Sequence, residues 1–150
     1  MAQWNRLIEA PPDAVWSVLS NGEDYSRFVV GTHDSWEQEG KWPAPGSELG
    51  YTLRVGPWPY RSRTISRLCE PGRRLELEAR TDLGTARIAF RVEPWGDNTL
   101  VIVDEHPLSG PMARWHNSAL DALTRWRNRH MLVRLGEIAE SAEEPNRDRA

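Results

Sequence analysis

Glu105, Arg127, His116 and His130 are the side chains of this sequence best able to do chemistry together. Glu105 follows Val101 and Val103 at alternate positions, so in a strand all three share one face. With the valines inward, the carboxylate stands on an apolar wall and needs either a partner or a raised pKa. Arg127 and His116 fall on the facing side of one long helix and can supply that partner, with His130 further along it. A carboxylate, a guanidinium and an imidazole converging in this way can move a proton or orient a polar group. The competing reading is a salt bridge that only anchors helix to strand. A slip of one residue in the strand would replace Glu105 by Asp104 and His106.

Other chemistries fit less well. The histidines are His33, His106, His116 and His130, with no HExxH and no close pair. His116 and His130 share roughly one helix face but stand ~21 Å apart along the axis, too far to share an ion. No metal and no cofactor are expected. The single cysteine, Cys69, lies beside Leu68 in a strand and reads as an inert structural thiol; alone it excludes an internal disulfide and a cysteine-rich zinc site. No nucleophile elbow and no glycine-rich phosphate loop is present.

The arginines of the central strands raise the question of nucleic acid. Arg61, Arg63, Arg67, Arg87 and Arg91 belong to the wet faces of their strands, and Glu76 and Glu78 of the strand between alternate with Leu75, Leu77 and Ala79. Glutamates flanked by arginines make a charge ladder that sets register and cancels its own field. No nucleic-acid partner is expected. Net charge is −3, from 19 basic and 22 acidic residues, which adds no overall pull toward polyanions.

The elements that must position these residues follow from the punctuation. Residues 3–10 read as a strand, and Pro11-Pro12-Asp13 opens a helix of about two turns ending at Asn21-Gly22. Residues 23–28 form a second short helix. Strands follow at 32–39, 47–55, 60–69, 74–80, 85–93 and 98–106, separated by hairpin-length turns such as Trp42-Pro43-Ala44-Pro45-Gly46. In 60–69, Ser62, Thr64, Ser66 and Leu68 face away from the arginines, Ile65 and Cys69. In 85–93, Ala86, Ile88, Phe90 and Val92 form the dry face. Pro107, Gly110 and Pro111 break the last strand, and one helix then runs from Met112 to about Ala142 with Gly136 its only glycine. Its length of ~45 Å would cross a small domain, and only the sheet can receive it. The order predicts an α+β fold, an antiparallel sheet of about seven strands curved around a long C-terminal helix.

Met112, Trp115, Ala119, Leu123, Trp126 and Val133 gather on one helix side and read as the roof of a cavity; Met131, Leu132, Leu135, Ile138 and Ala139 lie on another and read as a clamp on the sheet edge. Tyr25, Phe28, Trp36 and Tyr51 read as its mouth or wall, with Leu77, Ile88, Phe90 and Val103 on the sheet side. With 150 residues, 39% apolar and 27% charged, one domain over 1–142 with a disordered tail at 143–150 is expected. Eight tryptophans suit a broad cavity wall. No apolar run approaches the ~18 residues of a membrane span, and MAQWNRLIEA lacks a signal-like basic and apolar start. A cytoplasmic protein without stable membrane insertion is expected, and a homodimer stays open.

The element order, together with EAPPDAVWSVLSN, YSRFVVGT, WPAPGS, EPGRRLELEAR, LSGP and the RN at 127–128 followed by LVRLGEIAE, resembles the START-like or SRPBCC superfamily. The strings are similar to a polyketide cyclase/dehydrase-like or lipid-transport-like group, over residues 3–140. The resemblance implies the helix-grip fold, and an acid at the position of Glu105. Relatives tend to carry a His-His pair in the third strand, where this chain has Gly50-Tyr51, so no role of those histidines transfers.

The resulting expectation is a carrier or sensor that holds a hydrophobic or aromatic small molecule, lipid- or polyketide-like, in an internal cavity. The alternative is a cyclase or dehydrase in which Glu105 and His116 or His130 serve as general acid and base and Arg127 stabilises an enolate. A third class is a protein-interaction module of the chaperone-activator kind, which an exposed apolar patch would favour.

Overall fold

The computed structural model describes residues 2–29, 32–55, 57–81, 84–109 and 118–147. Strand β1 (Ala2–Ile8) leads into two short helices, α1 (Pro12–Leu19) and α2 (Tyr25–Phe28). Six strands follow: β2 (Thr32–Glu39), β3 (Glu48–Val55), β4 (Trp58–Glu70), β5 (Arg74–Thr81), β6 (Gly84–Trp95) and β7 (Asn98–Ser109). The long helix α3 is described over Ser118–Arg147. Its expected start at Pro111, with Trp115 and His116, lies outside the described residues, as do the side chains of Ala119 and Leu123. At its other end α3 passes the expected stop near Ala142. Glu143 and Glu144 are good helix formers and no glycine intervenes.

The sheet is antiparallel throughout, in the order β1-β7-β6-β5-β4-β3-β2. Neighbours in sequence pair by hairpins, and only the first strand departs, closing on the last. The chain therefore crosses from one sheet edge to the other between β1 and β2, and α1 and α2 occupy that crossing. Pro12 opens α1, where a missing N–H costs nothing, and Asp13 lies in its first turn. At its C-terminus the Leu19 carbonyl accepts a hydrogen bond from Trp42 Nε1 at 3.3 Å, which gives a helix-end acceptor a partner.

One face of the sheet is dry. Ile8, Leu49, Leu75, Leu77, Ile88, Phe90, Val92, Val101 and Val103 are buried on it, together with Val15, Val18 and Leu19 of α1 and Met131, Leu132, Leu135 and Ala139 of α3. On the other face the charge ladder forms as expected. Glu78 meets Arg67 at 2.6 Å and Arg80 at 3.1 Å, and Glu76 meets Arg87 at 2.5 Å and Arg74 at 3.2 Å. The Arg67 hydrogen bond, with Arg80 beside it, holds the Glu78 carboxyl below its ordinary range. Arg63 pairs instead with Glu48, and Arg91 with Glu93.

Two strands depart from simple alternation. In β4 the pairing shifts between Ser66↔Leu77 and Leu68↔Glu76, leaving Arg67 as an extra residue. This bulge reverses parity, so Leu68 turns to the outer face and Cys69 inward opposite Leu75. The expected grouping of Leu68 with Ser62, Thr64 and Ser66 is corrected accordingly. Burial raises the Cys69 thiol pKa, as suits an inert thiol. The second departure is β7, which continues through Pro107 to Ser109 instead of breaking there. Pro107 pairs with Ala86 beside a register shift, and β1 ends its pairing with β7 at Glu105. Beyond that point β7 pairs, among the described residues, with β6 alone, and proline is tolerated at such an edge.

The C-terminal half of α3 clamps the β1 edge. A Cβ at Gly136 would stand 3.4 Å from Ile8 Cγ1 and 3.7 Å from Arg6 Nε, so helix and strand approach closely at this residue. Four residues on, Glu140 Oε1 accepts the Glu9 backbone N–H at 3.0 Å.

Candidate functional site

The inner face is not uniformly apolar. In β7 the register Ala2↔Glu105, Trp4↔Val103, Arg6↔Val101 and Ile8↔Thr99 places Glu105 on the dry face, in line with Thr99, Val101 and Val103. Glu105 is 6% exposed, whereas Asp104 and His106 turn outward and pair with each other at 3.1 Å. The strand therefore sits in the register that alternation from the valines implies. Across from it, Arg127 of α3 donates from Nη1 to Glu105 Oε1 at 3.3 Å. The contact is single, and Glu105 Oε2 and Arg127 Nε are both buried without a hydrogen-bond partner.

A second polar group lies deeper in the sheet. Small hydroxyl residues Ser62, Thr64 and Ser66 repeat every second position on the inner face of β4, all buried. Tyr25, carried inward by α2, shares a 2.8 Å hydrogen bond with Thr64 Oγ1. Tyr51 of β3 stands opposite Ser62, with its ring 5.4 Å from that of Tyr25. Ser62 Oγ makes no hydrogen bond of good geometry, although Ser62 stands near enough to the Tyr51 hydroxyl to temper its pKa rise. Burial raises the pKa of both phenols, so both remain protonated at neutral pH. The Arg127 charge opposes that rise at both phenols and the Glu105 charge adds to it at Tyr25, so ion pair and hydroxyls act on one interior although β7 and β4 are not adjacent.

Around these polar atoms the wall is apolar. Phe28 meets Phe90 edge-to-face at 6.4 Å, and Tyr25 meets Phe28 at 5.7 Å and Trp42 at 6.3 Å. Of the residues expected to line the interior, Tyr25, Phe28, Tyr51, Leu77, Ile88, Phe90, Val103 and Glu105 are buried together, with Arg127 at their margin.

Three expected site residues stand elsewhere. Trp36 is paired with Gly50, which is paired with Arg63, and that series belongs to the outer face; the indole is 40% exposed. Trp126 is 53% exposed, and His130, also exposed, packs against it with ring centroids 4.4 Å apart and the planes tilted by 58°. The physical reason is the helix phase. Asn128, Met131, Leu132, Leu135 and Ala139 form the buried seam of α3, and at 100° per residue positions 126 and 130 fall opposite it. His130 is thereby too far around the helix to serve as acid or base beside Glu105.

Sequence reasoning passed over Asn128. It is wholly buried, and neither its amide oxygen nor its amide nitrogen has a partner. The sequence places the hydroxyl row of β4 on the face away from the arginines, but its three small polar residues at period two are not read there as part of a site. Among the described residues, no group of three or more His, Cys, Asp or Glu stands close enough to hold a metal ion.

A family model described as polyketide cyclase / dehydrase and lipid transport matches residues 5–140. The chain belongs to that family. Its architecture is the START-like, SRPBCC helix grip. A START superfamily protein from Mycobacterium smegmatis matches with a TM-score of 0.78 at 16% identity, over 94% of this chain and 97% of that one. The Zhui aromatase/cyclase from Streptomyces sp. R1128 matches with a TM-score of 0.69 at 15% identity, over 93% and 92%. A protein of Thermus thermophilus matches with a TM-score of 0.73 at 16% identity, over 95% and 99%. No curated protein matches the sequence significantly. At such identities the solved structures share the fold with this polyketide cyclase/dehydrase and lipid transport family member, and its chemistry must be read from its own residues. Among its described residues no helix is long and apolar enough to cross a membrane.

Proposed function

We propose that this protein binds a hydrophobic or aromatic small molecule, lipid- or polyketide-like, between the inner face of the sheet and the long helix, as a carrier or sensor. The observation that carries this reading is the composition of that face. An apolar wall of Leu77, Ile88, Phe90 and Val103 surrounds one ion pair, Glu105–Arg127, of which Glu105 Oε2 and Arg127 Nε are buried and unpartnered. Ligand sites of this kind are mostly apolar with a few convergent polar groups that fix orientation. Both activities in the family's description act on molecules of that class.

A catalytic reading, as a cyclase or dehydrase, draws on the same pair. With His130 on the outer face, it would rest on Glu105 and His116 as the acid–base groups and Arg127 as the stabiliser of developing negative charge. Native mass spectrometry of protein purified from its own host tests the binding reading. A co-purifying small molecule released on denaturation is the expected result. Incubating the isolated molecule with fresh protein then separates carrier from enzyme, since a carrier returns it unchanged.

A further inference from the structure

The charges of Glu105 and Arg127 are already committed to each other, and that fixes what kind of polar group can sit against them. Glu105 is 6% exposed and can only accept hydrogen bonds through Oε2, while Arg127 Nε can only donate. A ligand atom facing Oε2 must therefore donate, and one facing Nε must accept. A free carboxylate would add a second negative charge beside a buried carboxylate whose single cation is engaged. An unsubstituted hydrocarbon would leave both atoms unpaired. Of the other unpartnered buried atoms, Asp104 Oδ1 belongs to the outward-turned residues of β7, and Ser62 Oγ and the amide of Asn128 are neutral. Resting on the binding function proposed above, the geometry points to a neutral, hydroxyl-bearing ligand (a phenol, enol or alcohol, with or without a neighbouring carbonyl) whose O–H donates to Glu105 Oε2 and whose oxygen accepts from Arg127 Nε. This selects hydroxylated aromatics and alcohols over free fatty acids and plain hydrocarbons.

Three probes of one ring system separate these terms: naphthalene, 2-naphthol and 2-naphthoate, titrated calorimetrically into the full chain at pH 7. A hydrogen bond to a charged group supports a preference for 2-naphthol over naphthalene of roughly 10-fold or more, and 2-naphthoate binds more weakly than 2-naphthol. In Glu105→Gln the guanidinium loses its counter-charge, and the ranking inverts in favour of 2-naphthoate, a change that a purely structural role for Glu105 would not produce. Should Glu105→Gln fail to fold, the wild-type ranking decides alone. Equal binding of 2-naphthol and naphthalene overturns the inference while leaving a hydrophobic binding site in place. Strongest wild-type binding of 2-naphthoate overturns it too, and failure of all three probes to bind removes the aromatic-ligand reading together with it.

Discussion

Arg127 Nη1 and Glu105 Oε1 lie 3.3 Å apart, joining the long helix to the inner face of the last strand by one charge-assisted contact. The pair is unequal in its access to water. The Arg127 side chain is 35% exposed, whereas that of Glu105 is 8% exposed. Removing one partner therefore strands the other in very different surroundings.

Arg127→Met should accordingly destabilise the protein more than Glu105→Gln. The first leaves a carboxylate buried without its cation, for which ~3–5 kcal/mol is usual. The second leaves a guanidinium that can turn toward solvent, and about 1–2 kcal/mol is expected. Urea unfolding at pH 7 measures both, and equal losses would show that burial does not distinguish the partners.

Tyr25 and Tyr51 should make the fold sensitive to alkali. Their folded-state pKa values are raised by burial, so the folded protein retains protons that the unfolded chain gives up. The stability this represents is fully present below the unfolded tyrosine value of about 10, and it is lost as pH rises beyond it. Tyrosinate absorbance should then appear for these two residues together with unfolding. Tyr25→Phe should flatten the fall of stability between about pH 10 and 11.5, a range set by ordinary tyrosine ionisation. Early titration of all three tyrosines in folded protein would contradict the burial of these two.

Asn128→Leu tests what a buried, unpartnered amide contributes. Unsatisfied polar atoms in an interior are costly, and an apolar side chain of similar shape removes that cost. The variant should gain about 1 kcal/mol of stability without ligand. Loss of stability in thermal unfolding would mean that Asn128 is satisfied in solution.

Gly136→Ala should also stabilise. A Cβ there meets Ile8 at 3.4 Å, an ordinary contact, and the helix gains the ~0.5–1 kcal/mol that separates alanine from glycine. Bulkier residues should reverse the sign by pushing Arg6 and Ile8 away. Comparing Tm for Gly136→Ala and Gly136→Leu checks both halves of this expectation.

Alternation alone determined much of this protein. In β5, in β6 from Ala86 onward and in β7 up to Pro107, each residue's face follows from its parity, so Leu77, Ile88, Phe90, Val103 and Glu105 could be placed inward from the sequence. Element order was equally legible, because Gly-Pro punctuation and hairpin-length turns leave an antiparallel sheet few other arrangements. What the tertiary structure decided was phase. The bulge at Arg67 reversed the remainder of β4 through its pairing with β5, which no local pattern records. The rotation of α3 was set by its close approach to β1 at Gly136 and by its packing on α1. That rotation buried Asn128 and turned Trp126 and His130 outward, against the apolar stripe that the helix sequence suggests. A helix with apolar residues on two sides can be rotated into a sheet in more than one way. Contacts made far along the chain choose between them, and with that choice they decide which side chains join Glu105 inside.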